Sequence, residues 1–80
     1  MYYVYILQSL KTNKLYTGST EDLRRRFIEH NSGKTQSTKF SKPWKLIYYE
    51  AHITKTSARK TEIFYKKSQG RRQIKKKLDL

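Results

Sequence analysis

Five side chains in this 80-residue chain have the types and spacing to act on a phosphate ester: Tyr5, Tyr16, Arg26, His30 and Glu62. Cleaving a phosphodiester needs a base for the attacking water, positive charge for the pentavalent phosphate and a cation at the leaving oxygen. Each role has a candidate. On a helix turning ~100° per residue, with Leu23 as the core reference, Phe27 lies ~40° away, His30 ~20° and Arg26 ~60°. Arg24 and Arg25 lie ~100° and ~160° away and face water. Arg26 and His30, an i,i+4 pair, therefore flank the apolar stripe. A charge there is costly unless it is paired or used. The structural alternative is a snorkelling Arg26 and a hydrogen-bonded His30. Ala58, Glu62 and Tyr65 share a face of a later helix, which turns Glu62 to the apolar side. There it either pairs with Lys66 or a nearby arginine, or serves as a carboxylate ligand for a hard cation such as Mg²⁺. A phenol ordinarily titrates near ~10 and needs help to act as a base near neutral pH. An arginine, a metal-bound water and an acceptor histidine beside the hydroxyl would supply it.

The elements that position these residues are legible. Residues 2–7 (YYVYIL) are β-branched and aromatic and read as a buried strand. A Thr-Asn-Lys turn follows, then a short strand at 15–17 that Gly18 should end. The two form a hairpin with Tyr5 and Tyr16 near each other across it. Ser19 and Asp22 approximate a capping box that opens a helix running to about residue 31, with Gly33 as its stop. Residues 34–42 are polar and basic and read as a loop; residues 44–50 read as a third strand. Thr54 or Thr56 caps a helix over 57–69 that Gly70 ends, and a last helix over 71–80 packs through Ile74 and Leu78. The order β-β-α-β-α-α is an α+β architecture, a small three-stranded antiparallel sheet flanked by helices, in one domain spanning 1–80.

Composition narrows the partner. Nineteen Lys and Arg against six acids leave a formal net charge of +13. That balance points to a polyanion, nucleic acid first and an anionic membrane surface second. Aromatics at 14% argue against disorder. The chain has no cysteine, which excludes a disulfide framework and a cysteine zinc site. The longest apolar run falls far short of the ~20 residues of a membrane span. No basic stretch precedes that run as in a signal peptide, and the expected location is the cytoplasm.

Tyr3-Val4-Tyr5, Tyr16-Thr17-Gly18, Arg26-x-x-x-His30-Asn31 and Glu62 together resemble the GIY-YIG nuclease domain, and the likeness runs over nearly the whole chain. Pro43-Trp44-Lys45-Leu46 leading into Tyr48-Tyr49-Glu50 is similar to the third-strand region of short stand-alone bacterial members. The N-terminal nuclease domain of the ABC excinuclease is a related form. The resemblance implies metal-dependent cleavage of a phosphodiester with one Mg²⁺ (or Mn²⁺) ion, and three antiparallel strands flanked by helices. It implies that Tyr16 activates water, Tyr5 positions water or phosphate, and Gly18 lets the backbone pass close to the site. Arg26 then binds the scissile phosphate, His30 lies against the catalytic tyrosine, and Glu62 ligates the metal. Three departures stand out. Tyr3 replaces the first glycine, Thr17 stands in the middle of the second motif, and Ser19 stands where repair members often carry lysine. No asparagine follows Asn31 to match the family's supporting one.

The expectation is an endonuclease acting on DNA, with RNA as the lesser alternative, in DNA repair or nucleic-acid processing. Arg24, Arg25, Lys34, Lys39, Lys42, Lys66, Lys67, Arg71, Arg72, Lys75 and Lys76 are the candidate phosphate contacts, with affinity that falls steeply with salt. No small-molecule cofactor is expected, and a protein partner could supply targeting. The competing expectation is a binding module of the same fold that has lost useful catalysis. A pure binder has no use for an acid facing a phosphate, which favours the enzyme. A basic structural protein without a pocket explains the charge but not the inward Arg26 and Glu62.

Overall fold

Three strands and three helices account for the computed structural model, which describes residues 1–80. In chain order they are β1 (Tyr2–Ser9), β2 (Leu15–Thr20), α1 (Leu23–Ser32), β3 (Trp44–His52), α2 (Lys55–Lys66) and α3 (Ser68–Lys77). The sheet order is β2-β1-β3, antiparallel throughout, so the hydrophobic β1 is central and β2 is an edge. The expected order and architecture are those observed.

Strand alternation sorts the side chains onto two faces. Tyr5 pairs with Gly18 and Leu7 with Tyr16, which sets the two tyrosines diagonally on one face. Tyr5, Leu7 and Trp44 form the core there, packed by Leu23 and Phe27 of α1. Val4 and Ile6, both fully buried, point the other way, toward the side where α2 and α3 bury Ala58 and Ile74.

Element boundaries correct three expectations. Gly18 does not end β2; the strand runs on through Ser19 and Thr20. Asp22, not Ser19, caps α1 by accepting the Arg25 N–H at 3.0 Å. The Ser-x-x-Asp spacing imitates a capping box, but Ser19 spends its hydroxyl on Glu62. Gly33 closes α1 in the left-handed conformation (φ 82°), as expected. Thr54 caps α2 by accepting the Ser57 N–H at 3.1 Å, but the helix stops at Lys66, where Lys67 turns extended. Gly70 lies inside α3, which starts at Ser68, rather than ending α2. It is glycine because a Cβ would overlap the Phe64 carbonyl oxygen. The absent side chain lets α3 fold back tightly on the end of α2.

The segment between α1 and β3 is a loop, as expected, yet it contributes to the interior. Thr38 is fully buried, and its carbonyl accepts the Trp44 indole N–H at 3.0 Å. Asn31 brackets the Trp44 backbone, accepting its N–H and donating to its carbonyl. These bonds fix the end of α1 against the start of β3.

Candidate active site

Tyr5, Tyr16, Arg26 and His30 converge on the α1 side of the hairpin. Tyr5 is almost fully buried, and its hydroxyl meets His30 Nε2 at 2.8 Å. His30 is fully buried, and its Nδ1 meets Thr38 Oγ1 at 2.8 Å. Burial, and then the nearby Arg26 charge, lower the His30 pKa to about 4, so the ring is neutral at pH 7. A neutral imidazole has one donor and one acceptor nitrogen. The Thr38 hydroxyl itself donates to the Thr35 carbonyl at 3.5 Å. That assigns Nδ1–H as the donor to Thr38 and Nε2 as the acceptor of the Tyr5 hydroxyl.

The two tyrosines thereby differ. Burial, followed by the Tyr16 phenol, pushes the Tyr5 pKa up to about 12, although Arg26 pulls it back. Tyr5 stays protonated and donates to His30. The Tyr16 ring packs against His30 at a centroid distance of 4.9 Å and against Trp44 at 6.2 Å. Its hydroxyl makes no hydrogen bond within the protein, and the residue is among those lining a groove along β2. The histidine thus lies against the Tyr16 ring, as the family pattern implies, but its acceptor nitrogen serves Tyr5.

Gly18 makes this packing possible. A Cβ at that position would sit 2.5 Å from Tyr5 Oη and 3.2 Å from the Tyr16 ring. Arg26 reaches the same place from α1. Burial opposes its charge, but the Glu29 carboxylate, 3.1 Å from Nη1, and the two tyrosines hold its pKa up. Its side chain is 36% exposed, so neither a fully solvated arginine nor a sealed ion pair describes it.

Glu62 approaches from the other face of the edge strand. It is 8% exposed; Oε1 accepts Ser19 Oγ at 2.6 Å and Oε2 accepts Lys66 Nζ at 2.8 Å. Burial raises its pKa, but these two bonds and the charges of Lys66 and Arg59 outweigh it and keep the carboxylate ionised. Its charge is still close enough to raise Tyr5. The structural pairing with Lys66 read from the sequence is therefore present, on the face of β2 opposite Tyr5 and Tyr16. No three acidic or histidine side chains gather into a metal cluster. A single buried-side carboxylate fits Mg²⁺, which keeps most of its waters and takes substrate oxygens as further ligands.

The basic residues divide. Lys66, Arg71 and Lys75 line the Tyr16 groove, about 630 Å³, together with Lys14, Thr17 and Tyr65. Arg24, Arg25 and Lys34 border a separate shallow depression on the outer side of α1. Lys39 and Lys42 belong to the loop before β3, while Lys67, Arg72 and Lys76 are exposed along the C-terminal helices. Lys14 was not singled out from the sequence. Its place on the hairpin turn, opposite α3, depends on a packing that no periodicity reveals. Thr38, the partner of His30, is one of several hydroxyls in a polar segment and carried no signal either.

Glu62 is not the only inward acid of the second half. Glu50 accepts Tyr65 Oη at 2.7 Å, Tyr48 Oη at 3.1 Å and shares a hydrogen bond with His52 at 2.8 Å. His52 in turn bonds Ser57 Oγ at 2.7 Å. This Glu-His-Ser row has the connectivity of a nucleophile triad, but none of the three borders either groove. It ties the end of β3 to the first turn of α2.

A family model matches nearly the whole chain. The GIY-YIG catalytic domain aligns with residues 1–77, and the chain belongs to that family, whose fold is of the nuclease type and whose partner is nucleic acid. Within it the chain is similar to UPF0213 proteins, which are short stand-alone members. It is 39% identical over 72 residues to one from Streptococcus pyogenes serotype M3, covering 89% of this chain and 77% of that protein. The serotype M1 relative matches to the same extent. The solution structure of a UPF0213 protein from Bacillus halodurans superposes with a TM-score of 0.56 at 35% identity, over 92% of this chain and 82% of that one. No helix is long and apolar enough to cross a membrane.

Proposed function

We propose that the chain is a metal-dependent endonuclease that hydrolyses phosphodiester bonds of DNA, with RNA as the alternative substrate. The observation that carries this reading is the unequal pair of tyrosines. Tyr5 is locked as a donor to His30, while Tyr16 packs on the same histidine and keeps a hydroxyl that no other protein group engages. In this account Tyr16 loses its own proton to solvent, and the phenolate orients the attacking water, takes its proton and returns to the phenol. Arg26 binds the scissile phosphate and stabilises the charge that grows on it. Tyr5 and His30 form the rigid backing that fixes the Tyr16 ring, and Gly18 leaves room for it. Glu62 would hold one Mg²⁺ or Mn²⁺ ion, whose positive charge would stabilise the leaving oxygen.

The exposed Lys and Arg supply sequence-independent phosphate contacts. We place the activity in DNA repair or nucleic-acid processing in the cytoplasm, with a protein partner supplying site choice. The ion pairs around Glu62 favour a second reading, a nucleic-acid-binding module without useful turnover. Incubating wild type and Glu62→Ala with single-stranded, duplex and branched DNA and with RNA, in Mg²⁺, Mn²⁺ or EDTA, separates the two. The nuclease predicts metal-dependent cutting that Glu62→Ala loses. Equal binding by both proteins without cutting would establish the binding module.

A further inference from the structure

Both oxygens of Glu62 are engaged, but by unlike partners. Ser19 is neutral, and its oxygen retains lone pairs. Lys66 carries a full charge, and its ammonium stands at Oε2, where it would repel a divalent ion. The Lys66 side chain is 49% exposed against 11% for Glu62, and it ends a flexible four-carbon stem. It also borders the Tyr16 groove, beside Arg71 and Lys75. Lys66 therefore stands between the Glu62 carboxylate and the basic groove.

We infer that Lys66 couples metal binding to nucleic-acid binding by holding Glu62 Oε2 in the free protein and releasing it to a phosphate in the groove. In the free protein the ammonium competes with the ion and keeps metal affinity low. A phosphate backbone in the groove draws the ammonium off, and Oε2 opens. By linkage the ion must raise nucleic-acid affinity by the same factor that nucleic acid raises metal affinity. Arg59, 3.9 Å from Oε1 and 71% exposed, does not line the groove and stays outside this exchange. The inference rests on Glu62 being the metal ligand.

The test is Mn²⁺ binding followed by electron paramagnetic resonance of the free ion, which needs no turnover. Wild type, Lys66→Met, Lys75→Met and Glu62→Ala are titrated alone and with a short DNA duplex, the duplex arm in a Tyr16→Phe background that keeps it intact. Lys66→Met retains the aliphatic stem and should bind Mn²⁺ roughly two- to fivefold more tightly than wild type without DNA, the scale of a lost half-exposed ion pair. With duplex bound, the two should bind Mn²⁺ alike. Lys75→Met removes the same charge from the groove without touching Glu62 and should leave the free-protein affinity at the wild-type level. Equal Mn²⁺ affinity of free wild type and Lys66→Met, with Glu62→Ala weakened, overturns the coupling and leaves Glu62 as the ligand. So does a matching gain in Lys75→Met, which would reduce the effect to net charge. Unchanged affinity in Glu62→Ala, or no binding by any protein in either arm, refutes the metal-ligand reading itself and the coupling with it.

Discussion

Acid should destabilise this fold through His30 before Glu50 and Glu62 lose their charge. The ring is fully buried and its pKa is lowered to about 4, against an ordinary value near ~6.5. Below the ordinary value the unfolded chain takes up a proton that the folded chain refuses until about pH 4. Stability is therefore fully present above about pH 6.5, falls as the pH drops, and levels off below the folded pKa. At ~1.4 kcal/mol per pH unit, the loss between pH 6.5 and 4.5 comes to about 2.5 kcal/mol. Glu50 and Glu62, whose pKa values are depressed, lose their contribution only below the ordinary carboxylate range, so this window belongs to His30. For a domain of this size the loss lowers Tm by roughly 10–20 °C. Thermal melts followed by circular dichroism at fixed ionic strength measure it directly. His30→Gln should be less stable at pH 7, because Tyr5 and Thr38 lose their partner, but flat in Tm across the same window. A wild-type Tm that does not move between pH 7 and 4.5, or an equal slope in His30→Gln, would refute the assignment of a buried neutral imidazole.

Two glycines give sharper structural tests. Gly18→Ala would on entropy alone stabilise a strand by about 0.5 kcal/mol. Its Cβ instead meets the buried Tyr5 hydroxyl at 2.5 Å and must dislodge it from His30. We expect a net loss of roughly 1–3 kcal/mol in urea melts, and a stabilised variant would contradict the packing. Gly70→Ala would gain about 1 kcal/mol of helix propensity in α3. Its Cβ overlaps the Phe64 carbonyl oxygen, a backbone atom that cannot rotate aside. The α2–α3 junction should open, with a net loss above ~2 kcal/mol and increased amide exchange in α3.

What could be read from the sequence is what regular elements carry. Tyr5 and Tyr16 meet because a hairpin register brings them together, and Arg26 and His30 meet because i and i+4 share a helix face. Glu62 turns inward with Ala58 by the same rule. Sequence and structure part where one residue type has two physical uses. Ser19 suits a helix cap and a carboxylate partner equally, and its true role depends on α2, forty-three residues away. Gly70 suits a helix stop and a close contact, and only the return of α3 onto Phe64 decides between them. Thr38 and Lys14 were invisible because loop and turn geometry, not periodicity, brings them to the site.

The most direct test of the central claim compares the two tyrosines as phenylalanine variants in single-turnover cleavage of the best substrate. Loss of a group that handles the proton of the attacking water costs about 10²–10⁴ in rate. Tyr16→Phe should show that loss with its fold, nucleic-acid binding and Mn²⁺ affinity intact. Tyr5→Phe should act mainly through stability, by about 1–3 kcal/mol, because it leaves His30 Nε2 buried without a partner. Tyr16→Phe cutting at the wild-type rate would contradict the account, whatever Tyr5→Phe does.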